Sequence, residues 1–188
     1  MTSLVLAAHG SADPRSPANA RAVANQIRSM RPGLRVRVAF CDLNAPRLVE
    51  VLTPDAVVTP FLLADAYHAR IDIPAQIASC GLAVRQAAVL GEDDRLVDVL
   101  HERLAELGVS KSDSQLSVMV VAIGSTHAAA NVRTARVADK LSMGTQWAAT
   151  TTAFATGNGP SPAEAANQLR RLAPAAWLSH RGSWLPAS

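Results

Sequence analysis

A chain of 188 residues with 49% hydrophobic and 18% charged residues has ample material for a packed core and room for one large or two small domains. Net charge is only +3 and aromatic residues are 4%, so there is neither a basic patch nor a set of stacking platforms for nucleic acid. No apolar run reaches the roughly 18 residues of a membrane span, no secretory leader pattern opens the chain, and two isolated cysteines, Cys41 and Cys80, fit a reducing cytoplasm better than a disulfide scaffold or thiolate zinc site.

The elements alternate. Strands are predicted at Leu4–Ala8, Val36–Phe40, Ala56–Leu63 and Val84–Leu90, with helices near Pro17–Met30, Pro46–Leu52, Pro74–Ser79 and Asp93–Leu107. Pro17 suits a first helical turn and Arg31-Pro32-Gly33 stops that helix. Short strands separated by helices specify a parallel α/β sheet; if its order is the flavodoxin-like 2-1-3-4, strand one lies between strands two and three. After Gly108 the stretch VSKSDSQ reads as a linker.

Beyond the linker the pattern restarts. Ile123-Gly124-Ser125 lies 114 residues after His9-Gly10-Ser11, and the same offset aligns Ala39-Phe40 with Ala153-Phe154 and Asn44, Pro46 and Glu50 with Asn158, Pro160 and Glu164. The expectation is an internal duplication of a flavodoxin-like unit: an N-terminal domain over 1–110 and a shortened C-terminal repeat over 115–188. His9 becomes Ile123 and Asp42 becomes Thr156 in the second copy, which ends just after the strand that should match Ala56–Leu63. The chemistry therefore belongs to the first half.

In parallel α/β sheets ligands bind beyond the carboxyl ends of the strands. His9 ends strand one, Asp42 ends strand two, and His68 follows strand three. Two imidazoles and a carboxylate suit a borderline divalent metal, and the same groups accept protons near neutral pH. Taken singly, each histidine has a structural reading; the pair at two strand ends, with Gly10 allowing close backbone approach, favours a site. A phosphohistidine nucleophile would want an arginine before the histidine, where Ala8 stands. The chain has no P-loop or dinucleotide fingerprint, and a Ser–His–Asp hydrolase would need a GxSxG elbow that is missing. Asp72, before Ile73-Pro74, reads as a helix N-cap, and Cys41 as a small buried apolar residue. His101, His127 and His180 read as surface residues.

LAAHGSADPR, AFCDLNAP and PFLLADAYHARIDIP together resemble the class II chelatases that act on sirohydrochlorin, the ferrochelatases and cobaltochelatases of sirohaem and cobalamin synthesis. The resemblance implies two flavodoxin-like domains about a cleft, with His9 and His68 as metal-holding histidines. Asp42 stands where many relatives carry glutamate, and Ala66 where many carry glycine. It implies insertion of Fe2+ or Co2+, with Ni2+ also tolerated by such donors, into a tetrapyrrole without a nucleotide. Gly10 and Ser11 would then lie against the substrate, and Arg15 and Arg70 would anchor its carboxylates. A non-catalytic metal or tetrapyrrole carrier of the same fold is the alternative. A homo-oligomer completing the cleft is the third expectation.

Overall fold

The structure, a computed structural model, describes residues 3–172. It divides into two compact units after Gly91.

In the first unit four parallel strands, as the alternation predicts, lie in the flavodoxin-like order β2-β1-β3-β4. They are β1 (Ser3–Ala8), β2 (Arg35–Phe40), β3 (Val57–Pro60) and β4 (Arg85–Gln86). Side chains alternate across a strand, and β1 shows the consequence. Val5 and Ala7 join Ala39, Cys41, Val58, Leu48 and Ile73 on one face of the sheet. Leu6 and Ala8 join Val36, Val38 and Phe40 on the other, covered by α1 (Arg15–Met30). Ala20 and Ala24 are the buried residues of α1 that let its backbone approach the sheet. One-turn α2 (Leu48–Val51) and α3 (Ile73–Ser79) supply Leu48 and Ile73 to the opposite face. Burying roughly 2 kcal/mol worth of each Leu or Ile side chain there offsets the ordering of these short helices.

The later strands are shorter than predicted. β3 ends at Pro60, which has no N–H to donate. Pairing still persists past the ends of regular strand, since Phe61 N donates to Ala7 O (2.8 Å), Ala87 N to Val58 O (2.8 Å) and Leu90 N to Leu62 O (3.1 Å).

The second unit contains α4 (Asp94–Glu106), β5 (Ser117–Ala122), α5 (Ala128–Ser142), β6 (Ala149–Phe154) and α6 (Pro162–Leu172). The expected boundary near residue 110 thus moves to Gly91, because α4 is bound to the second unit: Lys140 Nζ of α5 reaches the Asp94 carboxylate at 2.7 Å and Glu92 O. His101 of α4 is half-buried, with its ring 5.7 Å from that of Trp147 and its Nδ1 without a hydrogen-bond partner. It does not stand free in solvent as expected, and burial holds its pKa down.

The two units share a set of local bonds 114 positions apart. Leu4 pairs with Val36 and Val118 with Thr150, in identical parallel register. Phe40 N donates to Pro46 O (3.0 Å), and Phe154 N to Pro160 O (2.8 Å). Arg47 N donates to Glu50 Oε2, and Ser161 N to Glu164 Oε2, both at 2.8 Å. The correspondence then breaks: α6 stays helical through positions 171 and 172, where the first unit begins β3. The remainder of the expected matching strand, and His180, lie outside the described residues.

Candidate metal centre

The ladder between β1 and β2 runs on beyond the strands. Cys41 N donates to Ala8 O (2.8 Å) and Asp42 N to His9 O (3.0 Å), so His9 and Asp42 leave the sheet side by side at its carboxyl edge. The chain can turn there because Gly10 has φ +96°, and a Cβ on it would stand 1.9 Å from Asp42 O. Only glycine fits that conformation and that gap. Ser11 N then donates to Asn44 Oδ1 at 2.7 Å, and Asp13 N to Ser11 Oγ at 3.0 Å. Gly10 and Ser11 therefore clamp the two loops to each other.

His68 arrives from the third strand end on a π-helical turn, His68–Asp72, that runs into α3. The structure brings the two predicted histidines together, their ring centroids 4.2 Å apart and their planes 81° from parallel. His9 is exposed and His68 partly buried.

Each ring is held through Nδ1. His9 Nδ1 lies 2.9 Å from Gly10 O, and His68 Nδ1 lies 2.9 Å from Asp72 Oδ2. A carbonyl oxygen can only accept, so His9 Nδ1 carries a proton, and in the neutral ring the lone pair is on Nε2. That is the state in which a neutral imidazole ligates a metal.

Asp42 is placed differently from Asp72. Its side chain is 59% exposed and its Oδ1 accepts from Leu43 N (2.8 Å) and from Arg47 Nη1 (3.3 Å). The Leu43 amide, then the Arg47 guanidinium, hold its carboxyl below the usual carboxylate range, with a smaller contribution from His9. The donor atoms of His9, Asp42 and His68 do not all lie within 4.8 Å of one another. Among the described residues the one group of three potential ligands that does is Cys41, His68 and Asp72. Cys41 is buried, and burial with the nearby Asp72 charge pushes its thiol up to about 11.

Asp72 is not the cap expected from its place before Ile73-Pro74. It has helical φ and ψ, and its side chain bonds no backbone amide at that terminus. Its two oxygens go to His68 Nδ1 and, at 2.9 Å, Gln76 Nε2. The His-x-x-x-Asp spacing in HARID was the signal for this pairing, since residues four apart share a helix face. Arg15 is bound to Asp13 (2.6 Å) and Arg70 Nε to Asp65 (2.9 Å), both arginines being exposed. His127 is exposed at the start of α5, as expected.

A parallel α/β sheet with two histidines gathered at its carboxyl edge makes a site that could hold a metal ion. The profile of the CbiX family matches residues 3–107, more than half the chain, and the chain belongs to that family. A sirohydrochlorin ferrochelatase of Priestia megaterium is 32% identical over 95 residues, a match covering 44% of this chain and 36% of that protein. The matched segment thus spans about a third of that relative. Among solved structures, SirB from Bacillus subtilis with Fe3+ has a TM-score of 0.77 at 20% identity, over 89% of this chain and 70% of that one. CbiX, described as the terminal enzyme of sirohaem biosynthesis in denitrifying bacteria, has a TM-score of 0.70 at 22% identity, over 88% and 74%. The sirohydrochlorin chelatase SirB of the Bacillus subtilis subspecies spizizenii, in complex with cobalt, has a TM-score of 0.67 at 18% identity, over 80% and 66%. At these identities the structures speak for the fold. No helix among the described residues is long and apolar enough to cross a membrane.

Proposed function

We propose that this chain inserts a divalent metal, Fe2+ or Co2+, into sirohydrochlorin, releasing two pyrrole protons and consuming no nucleotide. The observation that carries the proposal is the pair of imidazoles at 4.2 Å on two strand ends. Neutral nitrogen donors hold a borderline cation firmly enough to strip part of its water shell and loosely enough to release it. In this reading His9 and His68 present the metal through Nε2. Asp42, freed from Arg47, or His9 takes up one pyrrole proton as the nitrogen lone pair turns to the metal, and the second proton passes to solvent. Arg15 and Arg70 exchange their present carboxylate partners for those of the macrocycle, and Gly10 and Ser11 keep the loop flat beneath it. N and O donors accept Fe2+, Co2+ and Ni2+ alike, so cellular supply selects among them.

A second reading has one observation in its favour. Ile123 and Thr156 replace His9 and Asp42 in an otherwise equivalent turn, leaving the second unit's turn without either metal-holding group. A carrier that binds metal or tetrapyrrole without turnover needs no more. The deciding experiment follows the absorbance of excess sirohydrochlorin with Fe2+ or Co2+ under anaerobic conditions, using the wild type, His9→Ala and a protein-free control. Many turnovers above the control, lost in His9→Ala, support the chelatase. A one-to-one spectral change at the control rate refutes it in favour of the carrier. Sedimentation of the active species tests whether a homo-oligomer is required; full activity in a monomer rejects that requirement.

A further inference from the structure

We infer that Asp72 is a positioning residue for metal capture: it accepts the Nδ1 proton of His68 and thereby holds that imidazole with its Nε2 lone pair free. The inference deepens the metal-binding reading above and rests on it.

Three features make this more than a chance contact. First, the Asp72 carboxylate is committed on both sides. Oδ2 lies 2.9 Å from His68 Nδ1, and Oδ1 accepts from Gln76 Nε2 at 2.9 Å, so a group from α3 fixes the carboxylate that fixes the ring. Second, the backbone is arranged for it. Ile73 N donates to His68 O, five residues back, and this wider turn brings His68 and Asp72 onto α3. Gln86 Nε2 of β4 donates to Ala69 O at 2.7 Å and ties the turn to the sheet. Third, the side chains of His68 and Asp72 are 31% and 24% exposed, against 59% for Asp42. The hydrogen bond is therefore less open to competition from water than the Asp42–Arg47 pair.

The partners of the two histidines then match in kind. Gly10 O engages Nδ1 of His9 and Asp72 Oδ2 engages Nδ1 of His68. Free imidazole side chains favour no such arrangement on both rings at once; here two acceptors impose it. A carboxylate behind a ligating histidine also raises its basicity as a donor, and losing such a partner typically costs about 10–100-fold in metal affinity. Cys41 offers the competing arrangement, because its sulfur lies with His68 and Asp72 in one cluster. An ion seated there would need the bond between His68 and Asp72 to open.

The test uses the full chain with 15N-labelled histidine. Long-range 1H–15N spectra of the metal-free protein report the His68 tautomer, and Co2+ titration followed by visible absorbance and calorimetry reports affinity. The expected result is an Nδ1–H tautomer at His68 in the wild type that is lost in Asp72→Ala, with Co2+ affinity lower by about 10–100-fold. Asp72→Asn, nearly the same shape, keeps an acceptor oxygen without the charge; an affinity between the other two is expected, and it carries the test if the alanine variant does not fold. Wild-type affinity and an unchanged tautomer in Asp72→Ala overturn the inference, as does wild-type affinity in Asp72→Asn. So does a sulfur-to-cobalt charge-transfer band in the wild type that Cys41→Ser removes, which makes Asp72 a ligand in the Cys41 cluster. Failure of the sirohydrochlorin assay alongside the expected tautomer and Co2+ results refutes the chelatase reading and leaves this one standing.

Discussion

Gly10 and Gly124 share φ +96°, and in each case a Cβ would stand 1.9 Å from a carbonyl oxygen, of Asp42 in one unit and Thr156 in the other. The bonds that follow are shared as well: Asp42 N to His9 O, and Thr156 N to Ile123 O. Yet the first turn ends in an imidazole paired with a second imidazole, and the other in Ile123, which is 78% exposed. Even the clamp on the serine amide has changed hands, from Asn44 of the neighbouring loop to Asn131 of α5. The two units show that the turn at the strand edge is an architectural device. Chemistry is added to it by the side chains at two positions and by whatever the third strand end delivers.

The harshest way to test that comparison is Gly10→Ala. Left-handed strain of about 1–3 kcal/mol adds to a backbone clash that no side-chain movement relieves, so loss of about 3 kcal/mol or more is expected. Gly124→Ala should do the same to the second unit. Hydrogen exchange read separately over β1 and β5 locates each loss, and tolerance of either alanine would sink the equivalence. Next in size, His9→Ala should weaken Co2+ binding by about tenfold or more, whereas Ile123→Ala should leave it unchanged. Equal effects in calorimetry would mean that both turns bind metal.

A third prediction uses Cys41, whose counterpart at position 155 is alanine. Its folded thiol titrates near 11 rather than near 9, so the folded state holds the proton more tightly than the unfolded chain. The corresponding stability is fully present below about pH 9 and lost as pH rises through about 11, by about 2 kcal/mol. Urea midpoints from pH 8 to 11 should show this loss in the wild type and lack that component in Cys41→Ala. An identical pH profile in the two proteins would contradict it. The smallest effect is expected from Arg47→Ala, which frees Asp42 from an exposed ion pair. Co2+ affinity should rise by no more than about threefold, since such pairs are weak. A fall would show that Arg47 supports the site.

What was legible in the sequence followed from periodicity and from strand ends. Short strands alternating with helices specified a parallel sheet, and both His9 and His68 fall where such sheets present ligands. The likeness of the turns at Gly10 and Gly124 was legible from several identities at a single offset of 114. The role of Asp72 was not, because an Asp before Ile-Pro reads equally well as a cap. The i,i+4 spacing to His68 offered the other reading, and in the structure the carboxylate goes to His68 while Gln86 of β4 ties the turn at Ala69 O. The unit boundary was missed for a related reason: the amphipathic pattern of α4 shows that one face is buried but not against which neighbour. Asp42 matched by position, but the amide and guanidinium that occupy its Oδ1 belong to a turn whose geometry is not written in local composition.

The turn at Asp42 separates two jobs that one residue might have had to share. Its carbonyl oxygen fills the notch above Gly10 and receives Asn44 N, and any L-residue can supply that oxygen. Its side chain is free to be a carboxylate here and a hydroxyl at Thr156. Position 42 is therefore a socket with a fixed seat and an interchangeable head. Asp42→Glu, Asp42→His or Asp42→Cys would retune which cation the edge prefers while the seat stays as it is, and position 156 offers the same seat for installing a second centre.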